Sequence, residues 1–60
     1  MKLNKTLTYL KNGGTIYGEK QLEKVLNFKA VKSITREDPT VIIHLENGED
    51  ITVTYCAWCN

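Results

Sequence analysis

Two stretches in the last third of the chain constrain its fold more than any other feature. Val41, Ile43 and Leu45 alternate with Ile42, His44 and Glu46, and Ile51, Val53 and Tyr55 alternate with Thr52 and Thr54. A period of two marks a strand with one buried face, and the intervening Asn47-Gly48 is a turn signal for an antiparallel hairpin. Residues paired across a hairpin point to the same side, so parity selects the loop. A two-residue Asn47-Gly48 turn pairs Ile43 with Thr52 and Val41 with Thr54, mixing apolar with polar. A three-residue loop, Glu46-Asn47-Gly48 with Gly48 in the left-handed position of a bulge, pairs Ile43 with Ile51 and Val41 with Val53. The longer loop is therefore predicted, against the usual preference of Asn-Gly. A slip of one residue would turn each of these side chains to the opposite face.

The earlier chain supplies the partners for this hairpin. Leu3 to Leu10 alternates, with Leu3, Leu7 and Tyr9 on one side, Asn4, Thr6 and Thr8 on the other, and Lys5 interrupting the apolar side; this predicts an opening strand. Asn12-Gly13-Gly14 then reads as a turn returning into a short second arm, Thr15-Ile16-Tyr17. After Gly18 the period changes: Leu22, Val25 and Leu26 fall at i, i+3 and i+4, predicting an amphipathic helix of about three turns. Gly18 is the expected N-cap, Gln21 its capping-box partner, and Phe28 closes the contact of the helix with a sheet. Val31 to Arg36 is a further strand, ended by a turn at Glu37-Asp38-Pro39. The expectation is one α+β domain over residues 1–60, in β-β-α-β-β-β order. A small antiparallel-rich sheet carries the single helix on one face.

Length and charge bound the function. Sixty residues allow one core, since a chain of this size buries only about 60% of its unfolded surface. No apolar run approaches the roughly 18 residues of a membrane helix, and Met1 to Leu10 has no signal-peptide core, so a cytoplasmic protein with no membrane partner is expected. Two cysteines are too few for a disulfide framework, which agrees with a reducing compartment. Residues 1–36 hold all 8 basic side chains against 2 acidic ones, a net of +6, and residues 37–60 hold five acids and no Lys or Arg, a net of −5. Such asymmetry marks distinct basic and acidic surfaces, unless strands from both halves lie side by side and mix the charges.

Few residues offer chemistry. Cys56-Ala57-Trp58-Cys59 has the spacing of half a zinc site or a dithiol pair, and two C-termini could share one zinc ion. The preferred reading is structural, with no metal or cofactor: Cys56 extends the last strand inward and Trp58 covers the edge of the core. His44, the sole histidine, is expected on the outer face beside Ile42 and Glu46, without a catalytic triad. Gly13, Gly14 and Gly18 match no phosphate-binding motif. Lys20, Lys24 and Arg36, with Tyr9 as a stacking ring, form the alternative of a nucleic-acid surface.

The more telling feature is Ile42, an aliphatic side chain on the face that the helix does not cover. With His44, Trp58 and Tyr17 it outlines a candidate partner surface, and Glu46, Glu49 and Asp50 form an acidic hairpin tip that could serve the same end. No family signature is present. The size and the Lys/Asn/Ile-leaning usage resemble small accessory reading frames of bacteriophages and mobile elements. That resemblance implies an inhibitor or modulator of a host protein. The expected function is thus a non-enzymatic protein-binding module that self-associates.

Overall fold

The two alternating stretches form the hairpin that parity predicts. The computed structural model describes residues 4–58, and in it β3 (Thr40–Leu45) and β4 (Asp50–Cys56) are antiparallel, with Val41 opposite Val53 and Ile43 opposite Ile51. Gly48 has φ +92°, the left-handed geometry that glycine adopts without cost. Its N–H donates to the Leu45 carbonyl at 3.1 Å, the Leu45 N–H donates to the Glu49 carbonyl at 2.8 Å, and the Glu49 N–H donates to Asn47 Oδ1 at 2.9 Å. Glu46, Asn47 and Gly48 are therefore the loop. β2 (Val31–Glu37) adds antiparallel to β3, entered through a bulge between Val31 and Ser33 and left through Asp38-Pro39, whose peptide bond is cis.

Residues 4–10 depart from the expected strand. Lys5–Lys11 is a helix, α1, capped by Asn4, whose Oδ1 accepts from the Leu7 N–H at 2.8 Å. The same segment that alternates also places Leu7 and Leu10 at i and i+3, and both are buried while Tyr9 faces out. A local cap and burial of two leucines on one stripe decide for the helix. Leu3 lies outside the described residues. Asn12-Gly13-Gly14 is consequently a helix stop and not a hairpin turn. The Gly14 N–H donates to the Tyr9 carbonyl at 3.0 Å and the Gly13 N–H to the Leu10 carbonyl at 3.2 Å, with Gly13 at φ +96°, which is the Schellman pattern.

With no preceding strand to pair with, β1 (Thr15–Tyr17) lies parallel to β4, Ile16 opposite Tyr55 and Tyr17 opposite Cys56. The sheet is mixed, in the order β1-β4-β3-β2. Helix α2 (Gly18–Leu26) connects β1 at one edge with β2 at the other. Its N-cap is Tyr17, not Gly18, and Gln21 Oε1 accepts from the Tyr17 N–H at 2.9 Å, so the expected capping partner acts one residue earlier. Leu22 and Val25 are buried and Phe28 packs against the core, but Leu26 remains 49% exposed at the helix end. The element order is thus α-β-α-β-β-β, an α+β fold with two helices and a four-stranded mixed sheet. No described helix is long and apolar enough to cross a membrane.

Two substitutions test this arrangement. Leu10→Ala is expected to cost about 2–5 kcal/mol, a large share of the roughly 3–9 kcal/mol available to a 60-residue domain; a urea-unfolding loss below about 0.5 kcal/mol would contradict the helical placement of Leu10. Gly48→Ala meets no atoms within 4 Å of the new β-carbon, so its expected loss of about 1–2 kcal/mol comes from the backbone alone. The same urea titration reads it.

Candidate binding face

The register decides which side chains are left uncovered. Val41, Ile43, Leu45, Ile51, Val53 and Tyr55 point into a core completed by Leu7, Leu10, Ile16, Leu22, Val25 and Val31. Their neighbours along each strand must point the other way. Across the open face run three rows: Thr35, Ile42 and Thr52; Glu37, Thr40, Thr54 and Thr15; and Ser33, His44 and Asp50. Tyr17 and Cys56 adjoin them at the β1 edge. None of these paired outward positions holds Lys or Arg; Lys32 stands exposed in the bulge, next to Ser33. Ile42 is half-buried at the centre of a field of threonines.

His44 sits where the sequence places it, on the outer face, but within a relay that the sequence reading did not identify. Its Nδ1 lies 2.8 Å from Asp50 Oδ1 and its Nε2 lies 2.7 Å from Thr35 Oγ1. An ionised carboxylate only accepts, so with a neutral imidazole Nδ1–H donates to Asp50 and Nε2 accepts from the Thr35 hydroxyl. The predicted loop already sets His44 opposite Asp50; that pairing was the available signal. Thr35, diagonal to His44, depends on the β2 register, which no turn rule fixed. Hydroxyl, imidazole and carboxylate in this order are the parts of an acyl-transfer relay. Such chemistry also needs a concave wall and donors for an oxyanion; Thr35, His44 and Asp50 line neither the groove at Lys5, Tyr9 and Lys24 nor the one at Arg36, Pro39 and Trp58. The relay fixes the imidazole and ties β2, β3 and β4 together.

The remaining candidates are dispersed. Trp58 is 88% exposed and does not cover the core edge; it lines a groove with Arg36, Pro39 and Tyr55 at the end of β4 remote from His44. Cys56 is disulfide-bonded, half-buried, and on the outer side of the sheet, not turned inward as expected. Cys59 lies outside the described residues. No group of three or more metal-ligating side chains occurs among the described residues. The acidic tip is not a single patch. Glu49 pairs with Lys11 at 3.2 Å and Asp50 with His44, leaving Glu46.

The nucleic-acid candidates are likewise split. Arg36 reaches over the core side of the sheet, 3.3 Å from Glu19 Oε1 and 5.0 Å from the Tyr55 ring centre. Lys20 and Lys24 are exposed on α2, and Tyr9 lies over Gly14, beside Lys24. Tyr55 completes the Arg36 cluster by donating its hydroxyl to Glu19 at 2.9 Å. Burial, with the Glu19 carboxylate as the next cause, holds its pKa above the ordinary value of 10.0.

No protein-family model matches the chain, and no curated protein or solved structure matches it.

The raised Tyr55 pKa has a defined consequence for stability. Above pH 10 the unfolded state loses the phenolic proton while the folded state keeps it, so the contribution of neutral Tyr55 is full below the unfolded pKa and is lost as pH rises through the folded one. The stability difference between wild type and Tyr55→Phe is expected to be constant from pH 7 to about 9 and to shift against wild type above about 10. Urea midpoints read it; a difference independent of pH would contradict the raised Tyr55 pKa and the burial that causes it.

Proposed function

We propose that the chain is a small non-enzymatic binding module that presents the open face of its sheet to another protein surface, and that its first occupant is a second copy of itself. The observation that carries this reading is the placement of both helices on one side, which leaves Ile42 at the centre of a face whose strand-paired positions hold no Lys or Arg. Specific interfaces are depleted of charge at their centre. Two such faces related by a two-fold axis bring like surfaces together, and here that brings threonines and Ile42 into contact with little like-charge repulsion. Glu37 stands at the margin, and the Asp50 charge is partnered by His44.

The size of the face sets the area two copies can bury. Four strands about 4.8 Å apart and six residues at about 3.3 Å each give roughly 19 by 20 Å. With the corrugation of side chains, two copies cover about 1,200 Å² in total, the lower end for specific association. Small area and a polar face make a micromolar or weaker dissociation constant the expected outcome. The absence of basic side chains from these outward positions speaks against nucleic acid as the ligand of this face.

Ile42→Glu is the direct test. In sedimentation equilibrium, wild type is expected to dimerise at tens to hundreds of micromolar, with little dependence on salt. The variant should be a monomer with an unchanged circular dichroism spectrum, and Lys20→Glu, on the far side of the molecule, should associate as wild type. A wild-type chain that stays monomeric throughout, or association that falls steeply with salt as phosphate binding does, would overturn the proposal.

A further inference from the structure

The row of Ser33, His44 and Asp50 crosses the open face, and its imidazole belongs to the sole histidine of the chain. Histidine is the residue type that changes charge between about pH 5 and 8. The relay holds His44 in either protonation state. Neutral, the imidazole donates from Nδ1 to Asp50 Oδ1 at 2.8 Å and accepts at Nε2 from the Thr35 hydroxyl at 2.7 Å. Charged, it donates from both nitrogens, and the Thr35 oxygen accepts where its hydroxyl had donated. No heavy atom has to move; only the Thr35 hydroxyl proton turns away from the ring.

The two states differ in what they leave uncompensated once the face is covered. The Asp50 side chain is 58% exposed and that of His44 31%, so water solvates the carboxylate in the single chain. A partner surface removes that water. Beside a neutral imidazole Asp50 keeps a hydrogen bond but has no counter-charge, and an isolated carboxylate is costly to bury. Beside the imidazolium it belongs to a neutral ion pair at 2.8 Å, which loses less on burial than the unpaired charge. The other charges around the ring do not supply the counter-charge. Lys32 stands exposed in the bulge of β2 and Glu46 exposed just beyond β3, neither with an ion-pair partner among the described residues; Glu49, next to Asp50, pairs with Lys11, and Glu37 lies two rows away on β2. We infer, on the basis of the dimer proposed above, that association through the open face takes up one proton at each His44, so that mild acid tightens it and mild base loosens it. The dimer then holds more protons than two single chains, and its association constant falls as pH rises.

Sedimentation equilibrium of the full chain at about pH 8 and about pH 5.5, at constant ionic strength, tests this, with circular dichroism confirming that each variant is folded. Wild type is expected to associate roughly tenfold or more tightly at the lower pH. His44→Gln, which cannot take up the proton, is expected to lose the dependence. Asp50→Asn reports on the pairing itself: without the carboxylate, protonation leaves a lone imidazolium under the partner, so the dependence should reverse and association be tighter at about pH 8. A merely structural relay would leave the sign unchanged. Equal wild-type association at both pH values, a dependence that survives in His44→Gln, or the wild-type sign in Asp50→Asn would each overturn the proton coupling while leaving the dimer standing. A wild-type chain that is monomeric at both pH values would overturn the dimer and the coupling together.

Discussion

The register of the β3–β4 hairpin is the constraint on which the rest of the structure depends. With a three-residue loop closed at Gly48, six apolar side chains of two strands fall on one side. The two helices, β1 and Val31 assemble over that side. With a loop one residue shorter, the same strands would present alternating leucine, isoleucine and threonine pairs to both sides, and neither side could be closed by a stripe of Leu7, Leu10, Leu22 and Val25. Burial of roughly a dozen apolar side chains against the small net stability of a 60-residue domain explains why so local a choice is decisive.

That same choice was legible in the sequence because it rests on parity, which is a short-range and nearly binary property. The α2 stripe and the Asp38-Pro39 turn were legible for similar reasons: a clear period of 3.6 and a residue that forbids helix. The opening segment was not, because Leu3 to Leu10 satisfies two periods at once, and the Asn4 cap that breaks the tie is a single hydrogen bond. Because α1 is a helix, the strand partner expected for β1 is not there. Its parallel pairing with β4 joins residues about forty apart in the chain, for which no local signal exists.

The candidate site divides along the same line. Ile42 and His44 followed from strand parity and lie on the open face as read. Glu49 and Asp50 followed from the loop but are drawn into pairs with Lys11 and His44, contacts that depend on where α1 docks and how the imidazole turns. Arg36 was assigned to a basic edge by composition alone. The fold places it on the core side, where Glu19 and the Tyr55 ring take up its charge. Trp58 shows the limit of reasoning from residue type, since an aromatic at a strand end was expected over the core and is instead exposed.

The central claim is that the face bearing Ile42 and Thr52 is uncovered within one chain and meets its counterpart on another. An isotope-filtered methyl nuclear Overhauser experiment on an equal mixture of labelled and unlabelled protein tests it most directly. Contacts within one chain between Ile43 and Ile51, together with contacts between chains from the methyls of Ile42 and Thr52, are the predicted result. Contacts between Ile43 and Thr52 as the paired residues, or inter-chain contacts arising from the α1 and α2 surface instead, would contradict it.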